Sequence, residues 1–202
     1  MVAMPNRQFV TPEDYLEHER DAEAKSEYDD GVIVAMSGAS VAHATITANL
    51  LVAVNTSPEL RRSGCRGYSS DLRVYVPAEN RYYYPDLIAL CGAPVIQEAV
   101  PGMEAVTNPS IIVEVLSDTT ERQDRGRKWL AYKTIDTLRS YVLVHQDVAR
   151  VEVFTRGPDG KWEYEDFADL AGHLLLRTHN ASISMGAIYR DVAMDGAYPT
   201  GE

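Results

Sequence analysis

The stretch "IIVEVLSDTTERQDRGRK", residues 111–128, decides the fold. Its first half reads as a buried strand of Ile111, Ile112, Val113, Val115 and Leu116, broken only by Glu114. A carboxylate within an apolar run is costly unless something pairs with it. The second half reads as a helix capped by Thr119 or Thr120, with Gly126 weakening it by about 1 kcal/mol against Ala. On that helix Asp124, Lys128 and Tyr132 are spaced i, i+4, i+8 and share one face. Asp124 can hold the Lys128 ammonium in place, although the same spacing also describes an ordinary surface pair.

Upstream, "RYYYPDLIALCG" reads as a strand covered on both faces, with Asp86 following Pro85 inside it. Two carboxylates on adjacent buried strands, Asp86 and Glu114, if brought to one edge, form an oxygen-rich site for a hard divalent cation such as Mg²⁺. The cation would offset the cost of burying both charges, lower the pKa of a bound water and neutralise charge growing on a phosphate.

Further out, "TPEDYLEHERDA" carries a helix start at Thr11 and Pro12. Asp30-Gly31 marks a turn before a strand from Val32 to Met36, and Ile46, Leu50 and Val54 give "SVAHATITANLLVAVNTS" a helical period. "DLRVYVP" alternates as a half-buried strand, and "RSYVLVH", "ARVEVF" and "HLLLRT" supply later ones, with a short helix near 184–189. Strands interleaved with helices predict an α/β domain with a mixed β-sheet flanked by helices. With 202 residues and 45% hydrophobic composition, one domain spanning 1–202 is expected.

There is no apolar run of membrane-spanning length and no signal-like leader, so a cytoplasmic protein is expected. Cys65 and Cys91 have no C-x-x-C spacing and read as two reduced thiols. The net charge of −11 argues against a broad electrostatic grip on nucleic acid. Residues 1–30 hold nine acids against three bases, whereas residues 119–133 hold five bases against two acids. A small basic patch therefore adjoins the strand of Glu114.

Taken in order, "SEYDDGVIVAMSGASVAHATI", "YPDLIAL" and "IIVEVLSDTTERQDRGRKWLAY" resemble the large bacterial family of Uma-type restriction endonucleases, within the PD-(D/E)XK nuclease superfamily. The resemblance is strongest over residues 10–155. It implies a restriction-endonuclease-like fold and a Mg²⁺-dependent (or Mn²⁺-dependent) endonuclease acting on nucleic acid, in the first instance DNA. It implies that Asp86 and Glu114 are metal ligands, and that Glu27 and the backbone carbonyl of Val115 add to the metal shell. His43 matches a histidine often found beside the site. The superfamily pattern places a lysine two residues after the second acid, where this chain has Leu116; the resemblance moves that role to Lys128 on the following helix.

Other readings stay open. Glu27 also reads as one more acid in an acidic segment, and His43 as a helix-surface or core histidine. Asp71 reads as a turn or capping residue, Ser117 as a strand end, and Tyr82, Tyr83 and Tyr84 as sheet packing rather than base stacking. A nuclease-fold binding or regulatory protein that no longer cuts is the alternative function. A carboxylate-pair hydrolase of sugars ranks last. Since two-fold dimers are common and a duplex has two strands, a homodimer is expected as a partner state.

Overall fold

The computed structural model describes residues 9–194, so both ends of the expected 1–202 domain and the leader reading of the first eight residues lie outside the described residues. Helix α1 (Pro12–Asp21) begins where Thr11 Oγ1 accepts the Asp14 amide at 3.1 Å. Strands β1 (Ser26–Asp29) and β2 (Val32–Ala35) form a hairpin. Its two-residue turn has φ of +41° at Asp30 and +91° at Gly31, both in the left-handed region that this tight turn demands. Then come α2 (Val41–Thr56) and α3 (Pro58–Arg62), followed by β3 (Cys65–Ser69), β4 (Arg73–Val76), β5 (Arg81–Tyr83) and β6 (Leu87–Cys91). Short strands β7 (Ile96–Gln97) and β8 (Ala105–Val106) precede β9 (Ile111–Leu116).

The helix after β9 is not one regular α-helix. Segment α4 (Glu121–Gln123) passes through a π turn (Asp124–Lys128) into α5 (Trp129–Tyr132). Neither Thr119 nor Thr120 caps it through its side chain as expected. Instead the Ser117 carbonyl accepts the amides of Thr120 at 3.1 Å and Glu121 at 2.9 Å. Strands β10 (Ser140–His145), β11 (Val151–Arg156) and β12 (Trp162–Phe167) follow, then a ribbon of β13 (His173–Leu176) and β14 (Ala181–Ser184), and α6 (Met185–Ile188).

These strands make two six-stranded sheets rather than one. The first runs β2-β1-β5-β4-β8-β7 and the second β12-β11-β10-β9-β6-β3. Both are mixed: β4·β8 and β9·β10 are parallel pairs among antiparallel ones. The run "RYYYPDLIALCG" is accordingly split, and Asp86 does not lie inside a strand. Tyr83 ends β5 in the first sheet and Leu87 starts β6 in the second. Pro85 has no amide to give to a ladder, so the chain changes sheets there and Asp86 falls at the crossing. The small strands β7, β8 and β14, and helix α3, leave no mark in the sequence, because they are too short for a period to register.

The central strands of the second sheet, β6, β9 and β10, are covered on both faces, which is why they lack alternation of polarity. Ile111, Val113 and Val115 pack with Ile46, Leu50 and Val54 of α2. Ile112 and Leu116 pack on the opposite face with Ala131 and Tyr132 of α5 and with Val74 and Val76 of the first sheet. Successive residues of a strand point to opposite faces, so Glu114 belongs with Ile112 and Leu116 and is aimed at the helix. Tyr82, Tyr83 and Tyr84 are buried packing residues, as expected. Cys65 and Cys91 are paired across β3 and β6 and joined by a disulfide, which corrects the reading of two reduced thiols. Their separation of 26 residues carries no signal that the antiparallel register would place them opposite each other.

The π turn is tied to the sheet by Arg125. Its guanidinium donates to both oxygens of Glu152 on β11 at 2.8 and 2.6 Å and to Glu121 at 2.7 Å, while His145 Nε2 lies 2.8 Å from Glu152. The Arg125 bonds hold the Glu152 carboxyl down at about 2, from an ordinary 4.5, against the opposing effect of burial. This stabilisation is present above pH 4.5 and lost as the pH falls towards 2. Glu152→Gln is therefore expected to lower stability by about 2 kcal/mol at pH 7. Chemical denaturation from pH 7 down to pH 2 should show the gap to the wild type closing between about pH 4.5 and 2.

Candidate metal and catalytic centre

Lys128 is the meeting point of the site. It issues from the π turn with its side chain 9% exposed. Its Nζ lies 2.9 Å from Glu27 Oε1, 3.3 Å from Glu114 Oε1 and 3.4 Å from Asp124 Oδ1. Burial works to lower its pKa, but Glu114, Glu27 and Asp124 outweigh this and hold the ammonium well above its usual range. Glu114 is pushed the other way: burial raises it well above the usual carboxylate range although Lys128 opposes this. Asp124 is also raised, again by burial first. The sum is four carboxylates, those of Glu27, Asp86, Glu114 and Asp124, around one lysine and one imidazole.

Each acid is held from a different element. Glu27 sits on β1 and accepts the Tyr84 amide at 3.1 Å, at the crossing between the sheets. Nearby, Glu19 accepts the Ser26 amide at 3.1 Å and the Tyr84 hydroxyl at 3.0 Å, fixing both neighbours of that contact. Glu114 Oε1 also accepts the Tyr132 hydroxyl at 3.0 Å, and its Oε2 lies 3.4 Å from the Asp86 amide. Asp86 Oδ2 accepts the Val115 amide at 2.7 Å and faces His43 Nε2 at 3.2 Å. His43 stands in the first turn of α2, whose start is capped by Ser40. Burial lowers its pKa, but Asp86, Asp124 and the Val115 carbonyl together raise it above its usual value.

The structure thus brings together Glu27, His43, Asp86, Glu114, the Val115 carbonyl and Lys128, all six expected positions. Glu27, His43, Asp86, Glu114 and Lys128 line a cleft of about 820 Å³ that also admits Ser117, Thr120 and Gln123. Asp71 is elsewhere: it is an exposed partner of Lys25. Two groups of bonds have no signal in the sequence. The helical period puts Tyr132 on the face of Lys128 but does not mark it as a donor to Glu114. Arg125, Glu152 and His145 carry no pattern at all, because their contact joins residues 20 to 27 positions apart on three elements.

Whether these residues suit a metal is a question of donor chemistry and charge. The donors are carboxylate and carbonyl oxygens with one imidazole, the set a hard divalent cation prefers. Asp124 is 1% exposed, and the partner of its carboxylate is the Lys128 ammonium, 3.4 Å from Oδ1. Four buried or half-buried carboxylates around a single lysine leave an excess of acidic groups that suits a further counter-ion. In the present arrangement no three of the acids bring an oxygen each within 4.8 Å of one another among the described residues. The lysine takes the space between Glu27, Glu114 and Asp124.

The profile of the Uma2 family, described as "Putative restriction endonuclease", matches residues 12–184. The chain belongs to the Uma2 family. Among its relatives is the uncharacterized protein sll1609 of Synechocystis sp. (strain ATCC 27184 / PCC 6803 / Kazusa), 32% identical over 162 residues, covering 80% of this chain and 89% of that protein. The uncharacterized protein slr1290 of the same organism is 30% identical over 184 residues, covering 91% of this chain and 93% of that protein. A crystal structure described as a putative nuclease belonging to DUF820, from Anabaena variabilis ATCC 29413, superposes with a TM-score of 0.69. It shares 16% identity with this chain and is matched over 89% of this chain and 97% of its own length, a likeness of fold. The Uma2 chain therefore has a restriction-endonuclease-like mixed α/β fold. Among the described residues no helix is long and apolar enough to cross a membrane.

Removing the central charge should expose the strain in this arrangement. Lys128→Met leaves Glu27, Glu114 and Asp124 facing one another without a counter-charge. In metal-free buffer it should cost about 3–5 kcal/mol of stability, the usual result of orphaning a buried ionic partner. Adding Glu27→Gln should recover part of this loss, because the two sites are in direct contact. A double-mutant cycle by urea denaturation reads the coupling; strictly additive losses would refute it.

Proposed function

We propose that this chain is a divalent-cation-dependent nuclease that hydrolyses phosphodiester bonds in DNA. The observation that carries this reading is the convergence of Asp86 and Glu114 with Lys128 in one cleft, with Glu27 closing the set from the other sheet. Membership in the family described as "Putative restriction endonuclease", and the fold shared with a structure described as "a putative nuclease", support it.

Asp86 and Glu114, with Glu27 and the Val115 carbonyl, would hold Mg²⁺ or Mn²⁺. A divalent cation bound there lowers the pKa of a coordinated water and neutralises charge developing on the phosphate. Lys128 stays protonated, because three carboxylates surround it, and so acts as a fixed positive charge toward the phosphate rather than as a base. Asp124 and Tyr132 orient it and Glu114 from the helix side. His43 holds the Asp86 carboxylate in place from α2. A two-fold dimer would present two such clefts to the two strands of a duplex.

The net charge of −11 favours a second reading, a nuclease-fold binding or regulatory protein without cleavage. The retained set of Asp86, Glu114 and Lys128 favours the enzyme. Calorimetry with Mg²⁺ and Mn²⁺, followed by cleavage assays on duplex DNA, single-stranded DNA and RNA, separates the two. Asp86→Asn and Glu114→Gln should each lose metal binding and lower cleavage by at least about 10²-fold with the fold intact. Undiminished cleavage in either variant would refute the mechanism, while metal binding without cleavage of any substrate would leave the binding protein.

A further inference from the structure

A second cluster of chemistry-bearing groups lies away from the acidic cleft. Cys65 opens β3, Cys91 closes β6, and His179 ends the 3-10 turn Arg177–His179 that links β13 to β14. One donor atom from each lies within 4.8 Å of the other two. The three come from segments far apart in sequence and are brought together by the β3–β6 register and by the ribbon folding under the sheet. The ring nitrogen Nδ1 of His179 is 3.1 Å from the Thr178 hydroxyl, which leaves Nε2 to serve as a ligand. Cys91 and His179 are half-buried, and His179 borders a cleft of about 990 Å³ open to solvent.

We propose that Cys65, Cys91 and His179 form a thiol-dependent site for a thiophilic divalent cation of the Zn²⁺ class. Two thiolates and an imidazole are soft and borderline donors, unlike the oxygen set around Lys128. Three protein ligands leave a fourth tetrahedral position for water. Two donors on one such ion lie about 3.8 Å apart, given a Zn–S bond of about 2.3 Å, a spacing that two reduced sulfurs facing each other across a strand pair can take. The disulfide is the other state of the same site. A dithiol reductant gives two electrons and two protons to the Cys65–Cys91 bond, breaking it to two thiols while the reductant closes its own disulfide. Cation binding then displaces both thiol protons. The ion would tie the β13–β14 ribbon to the β3–β6 edge, a link that the disulfide alone does not make.

The test uses Co²⁺ as the probe, on the full chain after reduction with a non-thiol phosphine and its removal. One thiolate-ligated Co²⁺ per chain is expected, apart from any ion in the acidic cleft, with a thiolate-to-metal charge-transfer band and the visible spectrum of a tetrahedral site, both displaced by Zn²⁺. Cys91→Ser should lose at least about half of the thiolate band, since only Cys65 is left to supply it. His179→Ala should weaken binding at least tenfold, since even outer-shell partners of a metal ligand are worth about 10–100-fold. Asp86→Asn should keep the band, which separates this site from the acidic cleft. No band in the reduced wild type, a band undiminished in Cys91→Ser, or unaltered affinity in His179→Ala would each overturn the proposal. Should a variant fail to fold, protection of both wild-type thiols by Zn²⁺ against a thiol-specific reagent decides instead: full reactivity in the folded, Zn²⁺-loaded chain sinks it.

Discussion

Glu27, Glu114 and Asp124 close on the Lys128 ammonium at 2.9, 3.3 and 3.4 Å in a region almost sealed from water. Three like charges could not be held there unless several rigid elements carried them, because each acid would otherwise turn outward to solvent. The architecture around them supplies those elements. The π turn aims Lys128 inward, β9 aims Glu114 at the helix, and β1 presents Glu27 from the opposite sheet. The Tyr132 hydroxyl and the Tyr84 amide share Glu114 Oε1 and Glu27 Oε1 with the lysine, while the Val115 amide holds Asp86, which the lysine does not contact.

The helix that carries Lys128 is not held by helical hydrogen bonding alone. Its three pieces are short, three, five and four residues, and would not be stable in isolation. Two kinds of contact fix it. Trp129 stacks on Tyr141 with ring centres 5.4 Å apart and packs on Phe154 at 4.7 Å, and Arg125 grips Glu152. A π turn at a functional side chain is a recurrent device, since the extra residue per turn redirects the side chains beyond it. Here it brings Asp124 and Lys128 to bear on the same cluster as Glu114.

Much of this was legible in the sequence, and for a definite reason. Glu114 is conspicuous because it interrupts an apolar strand, and Asp86 because it follows a proline between apolar runs. Lys128 and Tyr132 fall on one helical face with Asp124. These are local patterns, and their periods survive folding. Relations between distant segments leave no such trace. The switch of sheets at Pro85 hides inside a run that looks continuous, and the pairing of Cys65 with Cys91 depends on a register that no local spacing encodes. The clasp of Arg125 on Glu152 and His145 likewise joins residues that no period relates. Strands of two residues, such as β7 and β8, are too short to show alternation of any kind.

The sheet crossing at Pro85 has a consequence for the order of assembly. Glu114 belongs to the second sheet and Asp86 immediately precedes its strand β6, whereas Glu27 arrives on the first, and the Tyr84 amide that fixes Glu27 lies on the link between them. A chain with one sheet formed and the other undocked has an incomplete acid cluster and a lysine lacking one of its three anchors. The centre therefore cannot be complete before the two sheets have docked. A nascent or partly opened chain carries no finished copy of it, and the docking of two sheets acts as the latch on whatever chemistry the cleft performs.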